Sequence, residues 1–339
     1  MAGDIYFNDV SLLLHCDGTN GSTTFTDSSN NGLTVTANGN AQISTAQSKF
    51  GGASGAFDGT SDSLTVTIPA IGTSDVTIEC WFYCTLTSVN VQRLFGGFGG
   101  YMGINPSTNY LVFNYNSVDR ILSSSPIVFN TWNHVALSRE GSTSRLFLNG
   151  VSIGTVADTQ AYSGNMLIGG SIAIDFFFGY IDDIRVTQGV ARYTSNFTPP
   201  TAAFPEHLAE ITGTLTESLS ATDFKARTYQ LSDGALVSDT TVTSSPYTIE
   251  LQTLEPVLVT MLPDYGTRWA ASTAYALNDK VFPSDPATSP YYYECTTAGT
   301  SDASEPTWPT SGTVNDGTAV WTYVEQMVQP ITHGPLIPS

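Results

Sequence analysis

Residues Phe178 to Pro199 read FGYIDDIRVTQGVARYTSNFTP, and the fold class turns on how this stretch is read. Ile181 to Val186 carries β-branched apolar residues shortly after a glycine, which is a strand signature. Alternation puts Ile181, Asp183 and Arg185 on one face and Asp182, Ile184 and Val186 on the other. Asp182 then sides with apolar neighbours. A buried carboxylate is costly unless it is paired, hydrogen-bonded or metal-bound. Two readings follow: an Asp held by backbone amides at a strand end, or a calcium ligand in a β-sandwich.

Working outward, more short strands appear. Leu12 to His15 is apolar, and Leu64, Val66 and Ile68 alternate with threonines. Val76, Ile78, Cys80, Phe82 and Cys84 keep a period of two, with Glu79, Trp81 and Tyr83 opposite. Bulk on both faces suggests a central, doubly covered strand. Trp132 to Arg139 is another strand. Asn149-Gly150, between Arg145–Leu148 and Val151–Thr155, is a strong hairpin signal. Many short strands with glycine-rich turns and no helical period imply an antiparallel sandwich or jelly roll. The fold class is all-β, and 339 residues imply more than one domain.

The net charge is −19, with 11 Lys plus Arg. A phosphate-backbone binder needs clustered cations, so nucleic acid and anionic membrane are poor partners. The acidity suits an extracellular or virion surface and supplies carboxylates for hard cations. Met1 to Asp9 is polar and lacks a leader pattern. No apolar run reaches about 18 residues, so membrane insertion is not expected. The cysteines are Cys16, Cys80, Cys84 and Cys295. On one strand, Cys80 and Cys84 would lie about 13 Å apart at about 3.3 Å per residue. That is too far for a disulfide, and all four are read as reduced thiols.

The ordered motifs LLLHCDGTNGSTTFTDSS, KFGGASGAFDGTSDSL, TIECWFY, TWNHVALSREGSTSRLFLNGVSIG and GYIDDIRVTQGVARYTSNFTPP resemble laminin-G-like/concanavalin-A-like lectin domains. They are most similar to those of bacteriophage virion proteins. The resemblance covers residues 1–204 and implies a jelly roll. It also implies a calcium ion where the first strand's loop meets the last strand. By position Asp17 and Asp182 are the metal candidates, with weaker support for Asp27, Asn38 and Asp58. Calcium takes six to eight oxygens, backbone carbonyls included.

Pro199 to Pro205 is a linker, since closely spaced prolines cannot continue a ladder. Residues 205–263 form a small unit similar to immunoglobulin-like or transthyretin-like spacer sandwiches. Residues 264–327 are dense in aromatics, and RWAASTAYALNDKVFP, PYYYECTTAGTSDASEPTWP and NDGTAVWTYVE resemble chitin-binding-type carbohydrate-binding modules. In so small a unit many rings must be core. Trp269, Tyr275 and Trp321 are read as core. Tyr292 and Trp308 are the candidates for stacking on sugar faces. The tail, residues 328–339, is a docking strap or lacks order.

Catalytic motifs are missing: there is no Gly-x-Ser-x-Gly, no Walker loop and no zinc signature. His134 reads as structural. Gly96 to Gly100 reads as a loop or bulge between strands, not a phosphate cradle. The expectation is a non-enzymatic phage virion protein of the tail tip, fibre or baseplate, assembled in the host cytoplasm. It would bind bacterial surface glycan during adsorption and contact other virion proteins. The alternative is a structural or decoration protein. A fibre also suggests a homotrimer, though no heptad marks one.

Overall fold

Fifteen strands build the N-terminal part of the chain. In order they are β1 (Val10–Leu14), β2 (Thr36–Asn38), β3 (Gln42–Ser44), β4 (Ser54–Asp58), β5 (Ser63–Thr67), β6 (Val76–Cys84), β7 (Gln92–Gly96), β8 (Gly100–Ile104), β9 (Tyr110–Tyr115), β10 (Val118–Pro126), β11 (Trp132–Glu140), β12 (Thr143–Leu148), β13 (Val151–Ala157), β14 (Asn165–Ile168) and β15 (Phe178–Gln188). These come from a computed structural model that describes residues 3–85, 90–171, 174–213, 224–232, 234–242, 247–253, 256–263, 265–285, 289–326, 331–336 and 338. Among them the only helix is a 3-10 turn, Phe7–Asp9.

The chain divides into two units, Met1–Leu208 and Ala209–Ser339. In the first, one antiparallel sheet runs β13-β12-β11-β6-β15-β4-β3, with β1 joined to the later half of β15. The second sheet runs β10-β9-β8-β7-β14-β5-β2. The two sheets bury a shared core. Ile78, Cys80 and Phe82 of β6, with Val135 and Leu137 of β11, meet Met102 of β8 and Phe113 of β9 within it. This is the jelly-roll sandwich expected from the alternation. The stretch 92–126, in which alternation marked no strand, supplies four of the second sheet's members. The four cysteines are free and buried.

In the second unit, Phe224–Gln230 lies between Leu236–Val242 and Val257–Pro263, while Ala209–Gly213 pairs with Tyr247–Leu251. The tail returns as the edge strand Ile331–Leu336, paired with Val257–Met261. An edge position tolerates Pro335, which has no N–H to donate. The aromatic segment therefore lies in sequence between two paired strands of the small sandwich. It forms its own sheet around Tyr291–Thr297 and Ala319–Gln326.

The opening stretch departs from strict alternation. Asp182 pairs with Trp81, but Arg185 pairs with Glu79, so β15 carries an extra residue there. Asp183 takes φ +49°, a left-handed conformation that one type of bulge uses. Ile181, Ile184 and Val186 all join the core as a result. Asp182 is thus not among apolar core residues, as alternation implied. It lies with Arg185 on the opposite face. The bulged Asp183 accepts hydrogen bonds from Phe204 N (3.0 Å) and lies 2.6 Å from His15 Nδ1. Phe204 and Leu208 pack with Phe7, Val10 and Leu13, which carries the first unit past residue 204.

That outer face holds a quartet of charges. Arg185 donates to Glu79 Oε1 through Nε (3.0 Å) and Nη2 (2.8 Å), and to Asp4 Oδ2 through Nη1 (2.9 Å). Arg192 grips Asp4 with Nη1 (2.9 Å) and Nη2 (2.7 Å). Tyr193 Oη donates to Glu79 Oε2 at 2.8 Å, and its ring stacks on Phe197, centroids 3.6 Å apart. Phe197 N in turn donates to Gly150 O in the β12–β13 hairpin (2.9 Å). Asn149 and Gly150 have φ +48° and +78°, and a Cβ on Gly150 would meet Phe197 O at 2.0 Å. Glycine is therefore required there for both turn and contact. Burial alone would raise the Glu79 pKa, but Arg185 and then His134 overturn this and hold it at about 2.

Glu79→Ala would leave Arg185 buried beside a hole, and we expect it to cost about 3–5 kcal/mol in urea unfolding of the first unit. Because Glu79 sits below its ordinary 4.5, its contribution is full above that value. It is lost as the pH falls toward 2, so the mutant should show a shallower acid limb in a melting-temperature profile.

Candidate functional site

Met102 and Ile104 of β8 point into the core, as do Phe113 and Tyr115 of β9, so Tyr101 and Asn114 point outward. The two are register partners. Around them opens a cleft of about 540 Å³ lined by Arg93, Gly97, Gly99, Tyr101, Asn114 and Asn116. This lies within the size range of ordinary ligand sites. Its rim is the β7–β8 connection, Gly96 to Gly100. Phe98 anchors that connection by plugging the core against Tyr162, ring centroids 5.1 Å apart. The glycines beside it leave backbone open to the cleft. The segment is a loop between strands, as expected.

The walls are prearranged. Arg93 pairs with Asp175 (2.7 Å) and lies 4.4 Å from the Tyr101 ring centroid, so its guanidinium is fixed across the ring. Among the described residues its Nε–H is buried without a hydrogen-bond partner. Asn114 Nδ2 donates to Asp119 Oδ1 at 2.7 Å, and Asn116 Nδ2 donates to Gln160 Oε1 at 3.1 Å. Burial and then the Asp119 carboxylate raise the Tyr101 pKa, which keeps the phenol neutral and able to donate. Amides, a carboxylate, a phenol and a guanidinium around one ring suit a ligand rich in hydroxyls. Sequence reasoning missed Arg93, Tyr101 and Asn114. The glycine-rich rim was the visible signal.

The sequence-predicted metal residues do different work. Asp182 is fully buried, and its Oδ2 accepts from Lys49 N (2.7 Å) and Phe50 N (3.2 Å). Oδ1 is buried with no partner among the described residues. Burial raises its pKa to about 7 against the two amides. Asp17 is exposed and lies against Gly51. Asp27 accepts from Leu13 N and Leu33 N, Asp58 from Thr60 N and Asn38 donates to Thr65. Among the described residues no three His, Cys, Asp or Glu side chains converge to hold a metal. The amide-held reading of Asp182 matches the hydrogen bonds that Oδ2 accepts.

The aromatic candidates divide. Tyr292 is 1% exposed and packs on Tyr265, so it offers no face to a sugar. A register shift between Tyr292 and Tyr293 breaks the alternation there and buries both rings. Trp308 is half-buried on Tyr293 (4.3 Å), its indole donating to Glu305 Oε1 at 2.8 Å. Tyr275 and Trp321 are core, as expected. Trp269 and Trp321 both donate to Oδ2 of buried Asp316, at 2.8 and 3.0 Å. Asp316 organises this small unit from within a turn-like NDG sequence.

Residues 58–192 match the sequence model of the Concanavalin A-like lectin/glucanases superfamily. No curated protein matches the chain. Among solved structures, domain 4 of AbnA, a GH43 extracellular arabinanase from Geobacillus stearothermophilus in complex with arabinotriose, is similar. It has 18% identity and a TM-score of 0.41, over 53% of this chain and 93% of that one. A heptameric SAP-like pentraxin from Limulus polyphemus gives 18% identity and a TM-score of 0.31, over 39% and 73%. The CBM40 of Ruminococcus gnavus IT-sialidase, bound to α2,3-sialyllactose, gives 17% and 0.30, over 34% and 77%. The family match over residues 58–192, with the two-sheet sandwich, gives the first unit a laminin-G-like/concanavalin-A-like jelly-roll fold.

Asp182 makes two checks available. Its folded pKa of about 7 lies above the ordinary 3.8, so its contribution to stability is greatest below that value and is lost as the pH rises through 7. Asp182→Asn stays neutral, so its stability, read from the melting temperature, should gain on wild type between about pH 4 and 7, where only the unfolded carboxyl ionises, and gain no further above that. The expected slope is about 1 kcal/mol per pH unit. Chelation with EDTA separates the two readings of Asp182: a fall of several degrees in the melting temperature of the first unit supports a bound calcium ion, and an unchanged value supports the amide-held carboxyl.

Proposed function

We propose that the protein is a non-enzymatic carbohydrate-binding protein whose first unit takes sugar in the Arg93–Tyr101–Asn114 cleft. The observation that carries this is the cleft itself: about 540 Å³ of open space, with polar groups already oriented around a partly exposed ring. The lectin-like family match at residues 58–192 supports the same class. Specific neutral-sugar contacts would use the amide of Asn114 and the carboxylate of Asp119 for adjacent hydroxyls.

We extend the proposal to a bacteriophage virion, where the protein would bind host surface glycan during adsorption. The motif resemblance and the charge of −19 support this setting. A structural role between virion proteins is the second reading. Val118, Leu122 and Val128, at 48%, 43% and 61% exposure around β10, favour it as surfaces for protein contact.

A glycan array probed with wild type, Tyr101→Ala and Asn114→Ala tests the first reading. Wild type should bind a restricted set of glycans, and each variant should lose about five- to tenfold in affinity, the worth of one hydrogen-bonding or ring contact. Absence of wild-type binding across bacterial glycans would leave the structural reading.

A further inference from the structure

The opposite outer face of the sandwich carries a second arrangement. Trp132 of β11 pairs with Tyr83 of β6, Tyr83 with Tyr180 of β15, Tyr180 with Ala56 of β4, and Ala56 with Gln42 of β3. Register partners share a face, so these five residues form one row across five strands. At about 4.8 Å per strand the row spans roughly 19 Å. Its neighbours in four of the five strands, Phe82, Ile181, Phe57 and Ile43, are in the core, which shows that the row faces outward.

Three aromatic rings occupy one end. Tyr83 lies 5.7 Å from Trp132 and 6.1 Å from Tyr180, centroid to centroid, and each ring is only partly buried. At the other end the small Ala56 leaves the floor low. A cleft of about 440 Å³ opens there, lined by Asn40, Gln42, Ala56, Asp58 and Tyr180. The next row on this face, His134–Trp81–Asp182, is closed over by Lys49 and Phe50. Lys49 Nζ lies 3.8 Å from the Trp81 centroid, and Phe50 lies 6.1 Å from it. Asp182 fastens that cover by accepting from the backbone N–H groups of both residues. The aromatic row is therefore left open while the row beside it is roofed.

We propose that this row is a second binding face, for a linear, uncharged polysaccharide lying across the strands. Apolar sugar faces would lie on Trp132, Tyr83 and Tyr180, since amphipathic rings accept surfaces that are apolar in the middle and polar at the rim. Asn40, Gln42 and Asp58 would take hydroxyls at the cleft end. Charge selects against polyanions. The row itself contains no cation, its cleft carries Asp58 and Asp62, and the chain's net charge is −19. The site does not depend on the Tyr101 cleft, which lies on the other sheet. A chain with both would hold two glycan segments at once and gain by avidity.

Affinity electrophoresis of the full chain in gels containing soluble mixed-linkage β-glucan, galactomannan or polygalacturonate tests this. Wild type should be retarded by at least one neutral polymer and not by polygalacturonate. Trp132→Ala and Tyr180→Ala should each weaken retardation about tenfold, and Tyr101→Ala should leave it unchanged. Gln42→Ala, an exposed edge change that spares the core, should weaken it about threefold. Trp132→Phe should abolish a polymer-induced shift in tryptophan emission. Retardation by no neutral polymer, or retardation indifferent to Trp132, Tyr180 and Gln42, would overturn the proposal. Loss of array binding by Tyr101→Ala with retardation intact would uphold both sites as separate.

Discussion

Two carboxylates and two guanidiniums meet on the outer face of the first sheet: Glu79, Asp4 and Arg185 are buried, and Arg192 is partly buried beside them. They balance in charge, and each is hydrogen-bonded to another member. A buried ion that lost its partner would be far costlier than the pair is favourable. The quartet therefore fixes what it touches. It ties the N-terminal segment to β15, β15 to β6, and the segment after β15 back onto the sheet through Tyr193. The polar face of a sheet that would otherwise need water is thereby closed by the segments that precede β1 and follow β15.

The bulge at Asp183 makes this closure geometrically available. One extra residue lets Ile181 and Ile184 both reach the core while Asp182 and Arg185 both point away from it. Two adjacent aspartates then serve different neighbours. Asp182 holds the 49–50 backbone over Trp81, and Asp183 holds His15 and the Phe204 amide. Positions that resemble a metal-ligand set in sequence also organise loops. Asp27 and Asp58 do the same work by accepting backbone N–H groups.

With one end of the first sheet's outer face sealed, ligand-sized openings lie elsewhere. The Arg93–Tyr101–Asn114 cleft lies on the second sheet, and the Trp132–Tyr83–Tyr180 row crosses the unsealed part of the first. In both, partly exposed rings stand beside amides and carboxylates, a pairing that suits a ligand rich in hydroxyls. The aromatic module of the second unit contains more rings but offers less. Its tyrosines and tryptophans form a core about Asp316, because a unit that small has little else with which to fill its interior.

The sequence by itself determined the all-β class, the central β6 and β11 strands, the Asn149-Gly150 hairpin, the reduced cysteines and the core role of Tyr275 and Trp321. Those features depend on local alternation, turn chemistry and composition, which neighbours in sequence carry. Tertiary structure decided the face on which Asp182 lies, the burial of Tyr292 and the return of Ile331–Leu336 to the small sandwich. It also brought Arg93, Tyr101 and Asn114 into one cleft. The physical reason is that register belongs to pairs of strands. A single extra residue in β15, or between Tyr292 and Tyr293, redirects the side chains that follow. Which residues stand opposite one another is settled only when distant strands have paired.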